Sequence, residues 1–150
     1  MSTGDAARQI ADEIETTLIW PLQTLLGHDD LFGMLRERAR YAAQRLAAQL
    51  ASGDDRLAAQ AAIDLAAAIF PGDAEIPAGW WGTPLGRLMA QSAGHPTAQA
   101  VSFSVAAAML RVSKGRVQQL VEEGKLDRHP DGGITSVSVR LRAHERGKRP

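Results

Sequence analysis

Side chains that can hydrogen-bond to nucleic acid are concentrated in one short polar segment, residues 113–123. At about 100° of rotation per residue, Val117, Leu120 and Val121 form one apolar face of a helix over this segment. Glutamine can pair with N6 and N7 of adenine, and arginine with O6 and N7 of guanine. The segment is therefore predicted to be a helix that enters a DNA groove and reads base edges. Its candidate DNA-binding residues are Ser113, Lys114, Gly115, Arg116, Gln118 and Gln119.

The first turn of this predicted helix suits a phosphate group. Ser113 is a favourable N-cap, and the free backbone N–H groups that follow it, together with Lys114, can bind an anion. Gly115 has no side chain and would allow a close approach to the duplex. Glu122 is expected where the helix leaves the groove, or accepting a hydrogen bond from a cytosine amine.

A second short helix must hold this one in place. Ser102 can cap a helix that includes Ala106, Ala107 and Leu110, and Arg111–Val112 is a tight break before the next helix. Two helices joined so closely must cross at a steep angle, which requires a small residue, Ala107, at their contact. Gly124 is the predicted C-terminal stop of the second helix.

A β-hairpin and a final helix are predicted next. Residues 125–129 form one strand, residues 130–133 the turn, and Ile134–Thr135 the return strand. Arg128 and His129 on this hairpin are predicted to contact phosphate or the minor groove. Ser136 is the predicted cap of a last helix from Val137 to about Glu145. Arg140 and Arg142 on that helix are two further candidate DNA-binding residues, followed by Arg146, Lys148 and Arg149.

Residues 101–142 resemble the excisionase and MerR-like winged helix-turn-helix DNA-binding domains. The resemblance is carried by Ala106, Ala107, Leu110, Val112, Ser113, Arg116, Val117, Leu120, Gly124, Lys125, Leu126, Gly132 and Gly133. It implies that residues 113–123 are the recognition helix and that the hairpin is the wing. The chain departs from the pattern at Val105, where such families often carry a glutamate, and at Arg111, where they usually carry glycine. Arg111 is therefore expected to adopt a left-handed or bridge conformation at some energetic cost.

The N-terminal part carries no such resemblance and is predicted to be a helical module, residues 1–70. Asp5 can cap a helix from Ala6 to Leu26 that Pro21 should end or kink late, with Gly27 as its stop. Asp29 or Asp30 can cap a second helix to about Ala51. A third helix follows the turn at 52–55, and Asp54 and Asp55 lie at its start, where capping explains them. Each helix is predicted to turn one apolar stripe inward. On the first helix the stripe is Ile10, Ile14, Leu18, Leu22 and Leu25, and on the second it is Leu31, Leu35, Ala39, Ala42, Leu46 and Leu50. On the third helix it is Leu57, Ala61, Leu65, Ala68 and Ile69. Because alanine buries little surface, part of these stripes is expected to pack against a second copy of the chain.

Residues 71–100 are predicted to be a linker and a short helix. Thr83 can cap that helix, and Pro84 can occupy its first turn. Trp80 and Trp81 are expected to lock a small core, in preference to forming a ligand platform.

The chain is electrically neutral overall, but its charge is unevenly distributed. Residues 1–100 carry 7 Lys and Arg against 12 Asp and Glu, whereas residues 101–150 carry 10 against 5, a net charge of +5. A basic segment on an acidic body favours binding to a polyanion. The absence of cysteine excludes disulfides and thiolate ligands, and the scattered histidines indicate no metal site or cofactor. We find no secretory signal, no membrane-spanning stretch and no catalytic grouping, so a cytoplasmic protein without enzymatic activity is expected.

The sequence thus predicts a mainly α fold with three parts: a dimerisation module (1–70), a linker with a short helix (71–100) and a winged helix-turn-helix with a basic tail (101–150). The leading functional hypothesis is a homodimeric bacterial transcriptional regulator that binds double-stranded DNA sequence-specifically. One alternative is an architectural, excisionase-like or plasmid-partition protein that builds a nucleoprotein assembly. Another is an antitoxin or adaptor that acts through the helical module.

Overall fold

The computed structural model describes residues 3–72 and 74–148, so Arg149 in the predicted basic tail lies outside the described residues. The protein is mainly helical with a small two-stranded antiparallel sheet. Its α-helices are α1 (Thr3–Ile14), α2 (Trp20–Leu26), α3 (Asp30–Leu50), α4 (Asp55–Ile69), α5 (Pro84–Ser92), α6 (Phe103–Leu110), α7 (Lys114–Glu122) and α8 (Ser136–Gly147), and its strands are β1 (Ala100–Val101) and β2 (Ile134–Thr135). Across these ranges, no helix is long and apolar enough to cross a membrane.

The first helix is longer and less regular than predicted. It begins at Thr3, so Asp5 lies in its first turn and is not its cap. A π-helical turn, Glu15–Ile19, joins α1 to α2 directly before Pro21, which has no N–H to donate to the preceding turn. The helix therefore continues past Pro21 and ends where predicted, at Gly27, which has a φ of 98°.

The next three helices start at their predicted caps. Asp29 accepts a hydrogen bond from the backbone N–H of Leu31 at 2.9 Å, and Asp54 accepts one from the N–H of Arg56 at 3.0 Å. Thr83 Oγ1 accepts one from the N–H of Gly86 at 3.1 Å. Capping depends only on the residue type and its local conformation, which is why the sequence predicts it well.

The predicted inward stripe of α3 is only partly right: Leu50 is buried and Leu46 packs against the core, but Leu31 and Leu35 are not buried. Its buried residues are Phe32, Ala43, Ala47 and Leu50, whereas Leu31 and Leu35 are 54% and 37% exposed. The helix presents its small alanines to α1, because only small side chains allow two helix axes to approach closely. The other stripes were only partly right: Ile10, Ala61 and Leu65 are buried, but Leu18, Leu22, Leu25, Leu57 and Ala68 are exposed.

One hydrophobic core runs from α1 to α8. Trp80 and Trp81 lie in a 3₁₀ helix, Ala78–Gly82, and both are buried in this core. The expectation that they lock a core is therefore confirmed. Helix α5 packs against them so closely that a Cβ atom on Gly86 would lie 2.3 Å from the backbone oxygen of Trp80. Residues 71–100, which were predicted to be a linker and a short helix, thus form part of the hydrophobic core.

The C-terminal elements follow the predicted order, with corrections at three places. Strand β1, which the sequence did not predict, pairs with β2, matching Val101 with Ile134. The predicted strand over residues 125–129 is reduced to a single bridge between Arg128 and Ile134. The reason is that the N–H groups of Lys125 and Leu126 bond to Leu120 O and so complete the end of α7. Finally, Thr135, and not Ser136, caps α8.

Candidate nucleic-acid interface

Helix α7 is anchored on one side and open on the other. Val117 and Leu120 are buried in the core, and Ser113 Oγ accepts a hydrogen bond from the N–H of Arg116 at 3.1 Å. Lys114, Gly115 and Gln119 are exposed, and Arg116 and Gln118 are half-buried. The structure therefore places Gly115 and Gln119 on the exposed face of α7, Arg116 and Gln118 on its flanks, and Ser113 and Lys114 at its start.

The cap of α6 and the turn between α6 and α7 are those that the sequence predicts. Ser102 caps α6 and accepts a hydrogen bond from the N–H of Val105 at 3.1 Å. Only residues 111–113 connect α6 to α7, and Ala107 is buried beside the connection. Arg111 takes the expected left-handed conformation, with φ 59° and ψ 46°. The N–H of Val112 then bonds to Ala107 O at 3.0 Å, which closes the end of α6.

Arg116 is held by an ion-pair network that the sequence did not predict. Its Nη1 lies 3.5 Å from Glu123 Oε1, and Glu123 Oε2 lies 3.3 Å from Lys125 Nζ. Hydrogen bonding to Lys125, together with its charge and that of Arg116, holds the pKa of Glu123 below its ordinary value. Arg116 Nη1 also donates to Gln119 Oε1 at 3.2 Å. Two residues predicted to read bases are thus oriented by each other, and Arg116 must exchange Glu123 for a base edge if it contacts DNA.

Glu122 is also engaged on the surface of α7. Its Oε1 accepts a hydrogen bond from Gln118 Nε2 at 3.3 Å. Gln118 is therefore engaged with Glu122, whereas the exposed side chain of Gln119 is oriented by Arg116.

Of the two candidate residues on the hairpin, Arg128 lies beside α6 and His129 lies at the turn. The Arg128 guanidinium lies 5.5 Å from the centre of the Phe103 ring, a cation–π contact that fixes the side chain while leaving it exposed. His129 Nδ1 accepts a hydrogen bond from the N–H of Asp131 at 3.1 Å, so this nitrogen shapes the turn. A Cβ atom on Gly133 would lie 2.5 Å from Val101 O, so glycine is required where the hairpin crosses β1.

The structure does not bring Arg140 and Arg142 to the face of α7. Arg140 Nη2 pairs with Asp55 Oδ1 of α4 at 3.0 Å, and its aliphatic carbons pack against Gly94. The Arg142 side chain is only 15% exposed and pairs with Glu145 at 3.6 Å. Both cations are therefore engaged on the body of the protein, and their predicted contact with DNA remains a prediction.

His95 ties the end of α5 to the segment before β1. Its ring centre lies 5.6 Å from that of Trp81, and Nδ1 accepts hydrogen bonds from the N–H groups of Thr97 and Ala98 at 3.3 and 2.9 Å. Burial lowers the pKa of His95. The neutral ring is thus the form that the fold accommodates.

Acidification should therefore destabilise the fold through His95. Because its folded pKa lies below the ordinary value of about 6.5, the unfolded chain takes up a proton first, and stability falls as the pH drops below that value. Urea midpoints at pH 7.5 and 5.5 measure this loss, and His95→Gln should reduce it. His144→Gln, a change at an exposed histidine of α8, is the matched control. An equal loss in wild type and His95→Gln would refute this role.

Comparisons of the chain with protein-family models, curated proteins and solved structures found no match. Among the described residues, no group of three or more His, Asp or Glu side chains is placed to hold a metal ion. The functional proposal therefore depends on the geometry of the surface itself.

Proposed function

We propose that this protein binds double-stranded DNA sequence-specifically as a homodimer and acts as a transcriptional regulator. In this proposal residues 101–148 act as a winged helix-turn-helix, α7 enters the major groove, and the hairpin of residues 127–135 is the wing. The observation that carries the proposal is the polar face of α7, with Lys114 and Gly115 at its start and Gln119 on the exposed side.

Three features of the surface support this proposal. The buried face of α7 fixes the helix, so its polar face can dock without a large loss of conformational entropy. Its N-terminus offers free backbone N–H groups next to Lys114, which suits a phosphate. Arg128 on the hairpin adds a second exposed cation, as expected for a domain that contacts the backbone on both sides of a groove.

The dimer is supported by apolar side chains that the fold leaves exposed. We call them the apolar end; it consists of Leu22, Leu25 and Leu26 on α2 and Leu31, Met34 and Leu35 on α3. Leu25 is 80% exposed and Met34 68%. Leu31, Met34 and Leu35 line an open groove of about 490 Å³ together with Glu37 and Arg38.

A second copy is the occupant that this groove fits best. In a two-fold interface the same patch faces itself, so Glu37 of one copy can pair with Arg38 of the other while the leucines are buried. Exposed apolar patches of this kind mark interaction sites. Pairing two copies would also provide two α7 helices for two half-sites of DNA.

Selection of bound DNA from a random pool, followed by the stoichiometry of the complex, tests the proposal. A dimeric regulator should enrich one inverted repeat and bind it as two chains per site. An architectural protein would instead spread over adjacent sites, and an adaptor would enrich no sequence.

Base reading by α7 can be separated from phosphate contact by two substitutions. Gln119→Ala should weaken binding to the selected site by roughly 1–3 kcal/mol and relax preference at one base position. Lys114→Ala should weaken binding to selected and random DNA alike, because phosphate contacts carry no sequence information. Fluorescence anisotropy on both DNAs measures the difference.

Two further variants complete this comparison. Arg116→Ala should behave like Gln119→Ala, since Arg116 both orients Gln119 and faces the groove. Gln44→Ala, on an exposed position of α3, is the matched control and should change nothing. If Gln119→Ala and Arg116→Ala reduce affinity equally for selected and random DNA, α7 does not read bases.

A further inference from the structure

Three arginines from distant parts of the chain line one small cavity. The cavity has a volume of about 250 Å³ and lies between α5, the end of α6 and the last turns of α8. Its cations are Arg87 of α5, Arg111 of the turn between α6 and α7, and Arg146 of α8. The remaining lining residues are Gln91, Met109, Leu110, Ala143 and Gly147, so no described residue that lines the cavity carries a carboxylate.

The charges of these arginines are not neutralised within the described chain. Arg146 donates one hydrogen bond to Leu110 O, which uses one of its five N–H donors. Glu145, its neighbour in sequence, pairs with Arg142 instead. The Nε atom of Arg87 is enclosed and has no hydrogen-bond partner in the described structure. Buried donors normally have a partner. Of the enclosed nitrogens without one in the described structure, Arg87 Nε is the one whose residue lines this cavity, where an acceptor would satisfy it.

The backbone at Arg111 provides an independent indication of a ligand. Within the described residues, Arg111 is the non-glycine residue that has a positive φ. Its position closes the end of α6, where glycine is the residue that adopts this conformation without strain. An arginine here stores strain in the backbone, and this same residue lines the cavity. Strain retained at one position commonly marks a functional requirement.

We propose that this cavity is a phosphate-binding site formed by Arg87, Arg111 and Arg146. Guanidinium groups present paired N–H donors that match phosphate oxygens, and the +3 charge of three of them exceeds the −2 charge of a phosphate dianion. The site lies outside the predicted base-reading face of α7 and does not depend on the proposed DNA-binding function. A DNA backbone phosphate and the phosphate of a small molecule have the same binding chemistry, and the experiment distinguishes them.

Titration of the full-length protein with inorganic phosphate, by calorimetry at low ionic strength in chloride buffer, tests the site without DNA. Wild type should bind phosphate, and Arg111→Gly should weaken binding about tenfold, which corresponds to ~1.4 kcal/mol. Because Arg111→Gly also relieves the left-handed strain, its thermal midpoint should equal or exceed that of wild type. A loss of binding therefore cannot be attributed to unfolding.

Two more variants define the site. Arg87→Gln should weaken phosphate binding to a similar extent, whereas Arg56→Gln, the same charge change at an exposed position of α4, should not. If wild type does not bind phosphate, or if Arg111→Gly binds it as tightly as wild type, the proposal is wrong and the arginines serve only the ends of α6 and α8.

The source of the phosphate is identified by adding DNA. If the site holds a backbone phosphate, Arg111→Gly should weaken binding to all DNA sequences equally, and inorganic phosphate should compete with DNA. If it holds a small phosphorylated molecule, Arg111→Gly should leave the affinity for DNA unchanged but should still weaken the binding of inorganic phosphate. Either result supports the site. Failure to bind DNA at all would contradict the proposed function but leave the phosphate titration valid.

Discussion

The affinity of the full-length protein for DNA is expected to fall on the order of 10³-fold when the salt concentration rises from 50 to 200 mM. Each phosphate that a cation neutralises releases condensed counterions and contributes about −0.9 to the log–log slope. Two protomers that each neutralise three phosphates would give a slope of about −5. The net charge of +5 on residues 101–150, with Lys114 and Arg128 exposed, motivates this expectation.

Anisotropy titrations at four or more salt concentrations measure the slope. Lys114→Ala should make it shallower by about one per protomer, as expected for the loss of a phosphate contact. Arg56→Gln on α4 is the matched control and should leave the slope unchanged. A slope near zero, or no binding at 50 mM salt, would exclude the proposed contact with the DNA backbone.

The second large effect is expected from a charge placed in the apolar end. Leu31→Glu should convert a dimer to monomers, because two carboxylates would be buried face to face across the two-fold axis. Affinity for a two-half-site DNA should then fall by 10²–10⁴-fold, which is the gain that linking two binding modules provides. Light scattering at tens of micromolar protein measures the loss of the dimer. Anisotropy on the same DNA measures the loss of affinity.

Leu57→Glu provides a close control for this substitution. Leu57 lies on α4, outside the apolar end, and its exposure of 45% is similar to the 54% of Leu31. This variant should stay dimeric and bind DNA as wild type does. If wild type itself is monomeric at these concentrations, the apolar end does not pair two copies, and a partner of another kind, as in the adaptor hypothesis, becomes the better explanation.

Local features were predictable from the sequence because they depend on neighbouring residues. The caps at Asp29, Asp54, Thr83, Ser102 and Ser113 are all found in the structure, as are the stops at Gly27 and Gly124 and the left-handed Arg111. Each follows from the side chain and backbone preferences of one short segment. The composition of the polar face of α7 was predictable for the same reason, since helical periodicity separates it from Val117 and Leu120.

The tertiary structure decided which helix faces are buried and which distant residues meet. Periodicity predicted Leu31 and Leu35 in the core, but the structure buries Ala43 and Ala47 and leaves the two leucines exposed, because α3 packs closely against α1. Arg140 counts as a basic residue in the sequence, yet Asp55, 85 positions earlier, holds it. Arg87, Arg111 and Arg146 share a cavity only because α5, the α6–α7 turn and α8 pack together. Residue type and local order thus determined the elements and their ends. Which faces and charges remained available for partners was decided by contacts between segments far apart in the chain, and no local pattern encodes these.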